Sequence, residues 1–274
     1  QRYKYRDVFS KKMFNEIYTK NKKKCLQNYQ RIQRNKIKLG TFGVDGRVLS
    51  KKEIKPIITK KKLINLFSWN NKKIGVVFLH HLIDRNFHNG PRKYFIDNYS
   101  WANYILDQLP YAKNFNWIIK PHPTEKFYKS KKNLNDKIES LIENNNNIKM
   151  FPDKFSQISL LNITDYCITS HGSATLEYIA NGTPSIFIED SYYSHMRFAR
   201  KFRTNKKQLK KLNIIKKIKK PNNEEINQAK ALIYMRSDVF SSNCSLIPEH
   251  DVSRDFNINN FRISCIKLIK KFKF

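Results

Sequence analysis

Glycine is scarce in this 274-residue chain, with 7 residues in all, and the four cysteines are scattered at Cys25, Cys167, Cys244 and Cys265. No two cysteines form a CxxC pair, which argues against a metal-ligand set and against a disulfide framework. Cys167 falls inside an apolar strand pattern and reads as a small core residue. Long hydrophobic runs are also missing. Nothing approaches the ~18 apolar residues that cross a bilayer, and no signal peptide is visible, so a cytoplasmic chain is the expectation. The chain opens at Gln1 inside a basic, helix-like stretch, as expected for a piece of a longer polypeptide.

Acidic residues are few as well: 22 Asp and Glu stand against 54 Lys and Arg, for a formal charge of +32 and a pI near 10.0. Such a balance ordinarily points to nucleic acid. Here the lysines run through nearly every segment in the company of Asn and Ile, as in "NKKKCLQNYQRIQRNKIK" and "IENNNNIKM", which marks a drift of the whole composition. No RNA-binding aromatic signature, zinc-finger spacing or arginine-rich arm accompanies them, and no specific nucleic-acid partner is expected.

Against this background "TSHGSATLEYIANGTPSI", Thr169 to Ile186, stands out for its small residues. "DYCIT" reads as a buried strand and "SHGS" as a turn, with Gly172 expected to take a backbone conformation other residues resist. A helix should follow, capped by Ser173, with Leu176, Ile179 and Ala180 facing inward and Gly182 and Pro184 ending it. "SIFI" is the next strand. The turn would leave N–H groups at a helix N-terminus, a setting that attracts phosphate.

The same alternation extends backwards. "KKIGVVFLH" leads into a strand over Ile74 to Leu79, followed by the long polar loop "HHLIDRNFHNGPRKYF". "DNYSWANYILDQL" predicts a helix capped by Asn98 or Ser100, "NWIIK" a second strand, and "PHPTEKF" its exit loop. A helix through Leu134, Ile138, Leu141 and Ile142, a third strand "IKMF" and a short helix "SQISLLN" complete the run from Lys72 to Glu189. The expected fold is α/β: a Rossmann-like parallel sheet with helices on both faces, plus helical N- and C-terminal extensions. The expected division is a basic connector at 1–62, the Rossmann-like domain at 63–200 and a helical extension at 201–274. The terminal "NNFRISCIKLIKKFKF" alternates apolar and basic residues and could touch an anionic membrane surface.

Ligands of such sheets bind beyond the carboxyl ends of the strands. Lys120 and His122, held between Pro121 and Pro123, follow one strand; "SHGS" follows another. Two rigidly presented donors and a small-residue turn at one sheet edge suit a single phosphorylated ligand.

The combination "WIIKPHP", "FPDKFSQISLLNITDYCIT" and "SHGSATLEYIANGTPSI" resembles the C-terminal nucleotide-sugar-binding domain of GT-B glycosyltransferases of bacterial capsule and surface-polysaccharide synthesis. It is similar to Kdo transferases, polysialyltransferases and CDP-glycerol glycerophosphotransferases, which use cytidine-activated donors. The resemblance covers about residues 64 to 200. It implies a metal-independent transferase with no cofactor beyond its nucleotide-sugar donor, and an oligosaccharide or lipid-linked acceptor. From the chain's own composition the expected location is the cytoplasm, with a peripheral place at the inner face of the cell membrane. Ser170, His171, Gly172 and Ser173 would contact the donor phosphate, Lys120 and His122 would carry the leaving-group charge, and Glu177 would recognise hydroxyls. Asp84, with His80, His81 and His88 nearby, is the candidate catalytic base beside His122. "TSHGS" departs from the tandem serines and the "DYSS" of those families, and the first 62 residues are too short and polar for the acceptor domain that GT-B enzymes carry. A noncatalytic donor-domain fragment or scaffold and a nucleotide-sugar epimerase are the alternatives.

Overall fold

The computed structural model describes residues 11–39, 55–82, 93–122, 125 and 134–236. Asp84, His88, Pro123, Cys244, Cys265 and the terminal basic segment lie outside the described residues. The chain divides into a large unit, Gln1–Tyr234, and a small one, Met235–Phe274, of which only the first two residues are described.

Five strands build the large unit's sheet: β1 (Lys73–Phe78), β2 (Phe115–Lys120), β3 (Ile148–Met150), β4 (Tyr166–Thr169) and β5 (Ser185–Phe187). All pairings are parallel, in the order β3-β2-β1-β4-β5. This is the doubly wound Rossmann-like arrangement, and strand order reverses between β1 and β4. The helices α2 (Lys60–Leu66), α3 (Asn98–Gln108), α4 (Asn135–Asn144), α5 (Ile158–Ile163) and α6 (Ala174–Ala180) fall between or beside the strands.

Period-2 patterning sends each strand's side chains to opposite faces, and both faces are apolar because helices cover both. Ile74, Val76, Ile118 and Cys167 pack with Leu63, Leu160, Ile163 and Tyr178 on one side. Val77, Trp117, Ile119, Ile168 and Ile186 pack with Trp101, Ile105, Leu106 and Ile138 on the other. Each fully buried aliphatic side chain contributes about 1.5–3 kcal/mol. Gly75 is required by close approach: its register partner is Trp117, and a Cβ there would lie 2.2 Å from Trp117 Cζ3.

The cap of α3 is Asp97 rather than Asn98 or Ser100. Asp97 Oδ1 accepts from the Ser100 N–H at 2.6 Å, and Ser100 Oγ accepts from the Asp97 N–H in return. This reciprocal box satisfies two donors at the helix start, which Asn98, already inside the helix, cannot do.

The helical ends of the large unit pack on this layer. The long helix α1 (Lys11–Leu39), kinked at Asn21, buries Phe14, Tyr18, Cys25 and Tyr29. It packs on α9 (Asn223–Tyr234), which also packs on α6. Two short helices, α7 (Arg197–Arg200) and α8 (Lys206–Leu209), and a 3-10 segment, Lys210–Lys216, lie between β5 and α9. Among the described residues no helix is long and apolar enough to cross a membrane.

Candidate functional site

Parallel strands end on the same side, so the exits of β1, β2, β4 and β5 share one edge of the sheet. In sheets of this kind the ligand crevice lies at the strand reversal, here between β1 and β4. The β1 exit carries His80 and His81, the β2 exit Lys120 and His122, and the β4 exit Ser170, His171 and Gly172. Because β1 lies between β2 and β4, the "KPHP" and "SHGS" loops are not neighbours. Histidines of the β1 exit bridge them.

His80 lies flat on His171, with ring centroids 4.2 Å apart and planes 10° from parallel. It also packs against Trp101 in a T-shaped arrangement, with ring centroids 5.7 Å apart. His81 turns to the β2 exit, where its ring is edge-on to His122 at 5.8 Å, and its Nε2 lies 3.7 Å from Glu125 Oε2. Glu125 Oε2 also accepts from the Leu82 N–H at 3.0 Å. Four histidines thus form a row along the sheet edge, from His122 through His81 and His80 to His171.

The backbone of the small-residue turn joins the same network. The His171 N–H donates to His80 Nε2 at 3.4 Å, and Thr169 Oγ1 lies 2.9 Å from that nitrogen. Gly172 N–H donates to Thr169 Oγ1 at 3.4 Å. Ser170 Oγ is 3.2 Å from His171 Nδ1.

Gly172 is needed here for space, not for its dihedral angles. The glycine with positive φ among the described residues is Gly182 (φ 81), which ends α6 as expected. A Cβ on residue 172 would meet Thr169 Oγ1 at 2.9 Å and His80 Cε1 at 3.2 Å. Ser173 occupies the position before α6 in helical geometry (φ −60, ψ −21) and makes no side-chain capping bond.

Lys120 closes β2 with its side chain buried, and its Nζ lies 3.5 Å from Asp153 Oδ1, at the exit of β3. Glu177 is buried on α6, close enough to Tyr29, Cys167 and Tyr178 for its charge to raise their pKa values in addition to the larger effect of burial. Among the described residues no three His, Cys, Asp or Glu side chains gather as ligands for a metal ion.

Two residues that the sequence reading passed over hold this edge together. Glu189, buried at the exit of β5, accepts three consecutive backbone N–H bonds: Lys93 at 2.7 Å, Tyr94 at 2.9 Å and Phe95 at 3.0 Å. Its own N–H, like that of Ile188, donates to Ser170 O at 3.0 Å. Tyr193, fully buried, donates its hydroxyl to Gly172 O at 2.8 Å, and burial pushes its pKa up. The signal for Glu189 was an acid directly after a strand in an acid-poor chain. Tyr193 gave none, because its partner is a main-chain carbonyl.

No protein-family model and no curated protein matches the chain. Among solved structures it is similar to a KpsC beta-Kdo 2,4 transferase of Thermosulfurimonas dismutans, at 10% identity and a TM-score of 0.42, over 76% of this chain. The chain spans 55% of the length of that structure.

Proposed function

We propose that this chain is the donor-binding part of a metal-independent glycosyltransferase of GT-B type. It would take a nucleotide-activated sugar, CMP- or CDP-linked, and serve synthesis of a capsular or surface polysaccharide. The observation that carries this reading is the His80–His171 stack at the strand reversal. It brings the "SHGS" turn into one crevice with the β1 exit, which in turn meets His122 through His81.

In the transfer, the bond between the sugar carbon and the phosphate oxygen breaks and a new carbon–oxygen bond forms to the acceptor hydroxyl, which gives up its proton. Negative charge grows on the departing phosphate. Lys120 and His122 on one side, and the Ser170 and Ser173 hydroxyls with the His171 and Gly172 N–H groups on the other, would stabilise it. The two N–H bonds at 3.4 Å are long, so a phosphate oxygen offers these donors a stronger, charge-assisted partner. Glu177 serves as the candidate for hydroxyl recognition and Asp84, five residues beyond Leu79 in sequence, as the candidate base.

Calorimetric titration with CMP, CDP, UDP and GDP tests the reading, repeated with His122→Ala and Gly172→Val. Cytidine nucleotides should bind in preference, and both substitutions should weaken binding by at least ~10-fold. A folded chain that binds none of the four would overturn it.

A further inference from the structure

The stretch 201–220, "KFRTNKKQLKKLNIIKKIKK", contains ten Lys and Arg and no acid. Compositional drift does not account for its arrangement. Leu209, Leu212, Ile214 and Ile215 are buried against the α3 side of the core, while Lys206, Lys207, Lys210, Lys211, Lys216, Lys217, Lys219 and Lys220 are all exposed. The two remaining cations are neutralised, Lys201 by Glu225 and Arg203 by Asp190. On the adjoining α3, Asp97 is taken up by the helix cap and Asp107 holds Lys137 at 2.6 Å.

Sorting lysines outward has a backbone cost. Lys211 and Leu212 are consecutive non-glycine residues in left-handed conformation, at φ 51 and φ 53. A β-carbon disfavours that region, and the pair is held by the burial of Leu212 and by the Lys211 N–H bond to Gln108 Oε1 at 2.9 Å.

Exposed apolar groups border the lysines. Ile96 is 85% exposed at the start of α3 and Tyr111 is 60% exposed just past its end. Lys206 Nζ sits 5.3 Å from the ring centroids of both Phe95 and Tyr104, and Lys211 Nζ 5.2 Å from that of Tyr111. Lysine stems over aromatic rings, with an aliphatic group and a tyrosine projecting beside them, match a lipid interface, where charge meets headgroups and the apolar tips enter the acyl boundary. A soluble polyanion would use the lysines but leaves Ile96 without a role.

We infer that the surface formed by α3 and residues 206–217 docks this protein reversibly on an anionic lipid bilayer. Through Phe95, whose N–H is bound by Glu189, this surface adjoins the β5 exit of the crevice. The inference does not depend on the activity proposed above.

The test is co-sedimentation of the full chain with vesicles of phosphatidylcholine alone and with about one-third phosphatidylglycerol, at low and at physiological salt. Binding should require the anionic lipid and fall steeply with salt. Each lysine removed near such a surface weakens binding about fivefold, so Lys207, Lys210, Lys211, Lys216 and Lys217 changed together to Gln should lower affinity more than ~100-fold. Removing Lys12, Lys20, Lys23, Lys24 and Lys61 instead, an equal charge from elsewhere, should change it only a few-fold. Ile96→Ala with Tyr111→Ala should weaken vesicle binding about tenfold and leave polyphosphate binding unchanged. Equal losses in both lysine variants would overturn the inference. So would vesicle binding indifferent to Ile96 and Tyr111, which would make a soluble polyanion the occupant.

Discussion

The Glu189 carboxylate binds the N–H of Phe95 at 3.0 Å, across 94 residues of sequence, and so fastens the entry to α3 onto the exit of β5. The same carboxylate takes the N–H groups of Lys93 and Tyr94. Three main-chain donors converge on one acidic side chain, at the rim of the crevice proposed to hold a nucleotide.

Removing that carboxylate strands those donors. Glu189→Ala is expected to cost about 2–4 kcal/mol, since an unpaired buried polar group costs roughly 1–3 kcal/mol. Glu189→Gln, which keeps one acceptor oxygen, should cost less. Urea denaturation measures both, and hydrogen exchange should show the amides of residues 93–95 losing protection in the alanine variant first.

Gly172→Ala places a methyl group against Thr169 Oγ1 and the His80 ring. Overpacking of this kind costs about 1–3 kcal/mol. Thr169→Ala in the same chain opens the space, so the double variant should be more stable than the sum of the two single effects, read from a double-mutant cycle of unfolding free energies.

Cys25 and Cys167 are fully buried, and burial raises both thiols, Cys167 to about 12. The thiolate is the reactive form, so neither should react with a thiol reagent in the folded chain. With Cys244 and Cys265 changed to Ser, Ellman's reagent should detect no thiol until denaturant is added, and two afterwards. Rapid native labelling of either would contradict this packing.

Lys22 Nζ lies 2.7 Å from Glu224 Oε2, joining α1 to the start of α9. Chiefly through this hydrogen bond, Glu224 is held below the usual carboxylate value and Lys22 above the usual ammonium value. The Glu224 contribution is present above its unfolded pKa and lost as pH falls through the lower folded value. The Lys22 contribution is present below its unfolded pKa and lost as pH rises through the higher folded value. Both groups are about half exposed, so the effect should be small and weakened by salt. Thermal melts of Lys22→Met against the unmodified chain should differ near neutral pH and converge in acid.

The positions of the strands were legible because both faces of a parallel sheet are buried: "KIGVVF", "NWIIK", "YCIT" and "SIF" are short apolar runs between polar turns, and each is a strand. The end of α6 at Gly182 was equally legible, because only a residue without a β-carbon takes φ 81 cheaply. The turn at Gly172 was located correctly but for the wrong reason. Its glycine answers to Thr169 and His80, and a local reading sees only its own dihedral angles.

The sequence alone therefore determined the α/β alternation, the two small-residue and histidine-bearing exits, and the burial of Cys167, since all follow from local periodicity and side-chain volume. Strand order was decided only in three dimensions. Insertion of β1 between β2 and β4 makes His80 and His81 the bridge between the expected loops. Pairing between strands distant in sequence depends on how helices cover the two faces, and the same long-range packing set Glu189 on residues 93–95 and Tyr193 on Gly172.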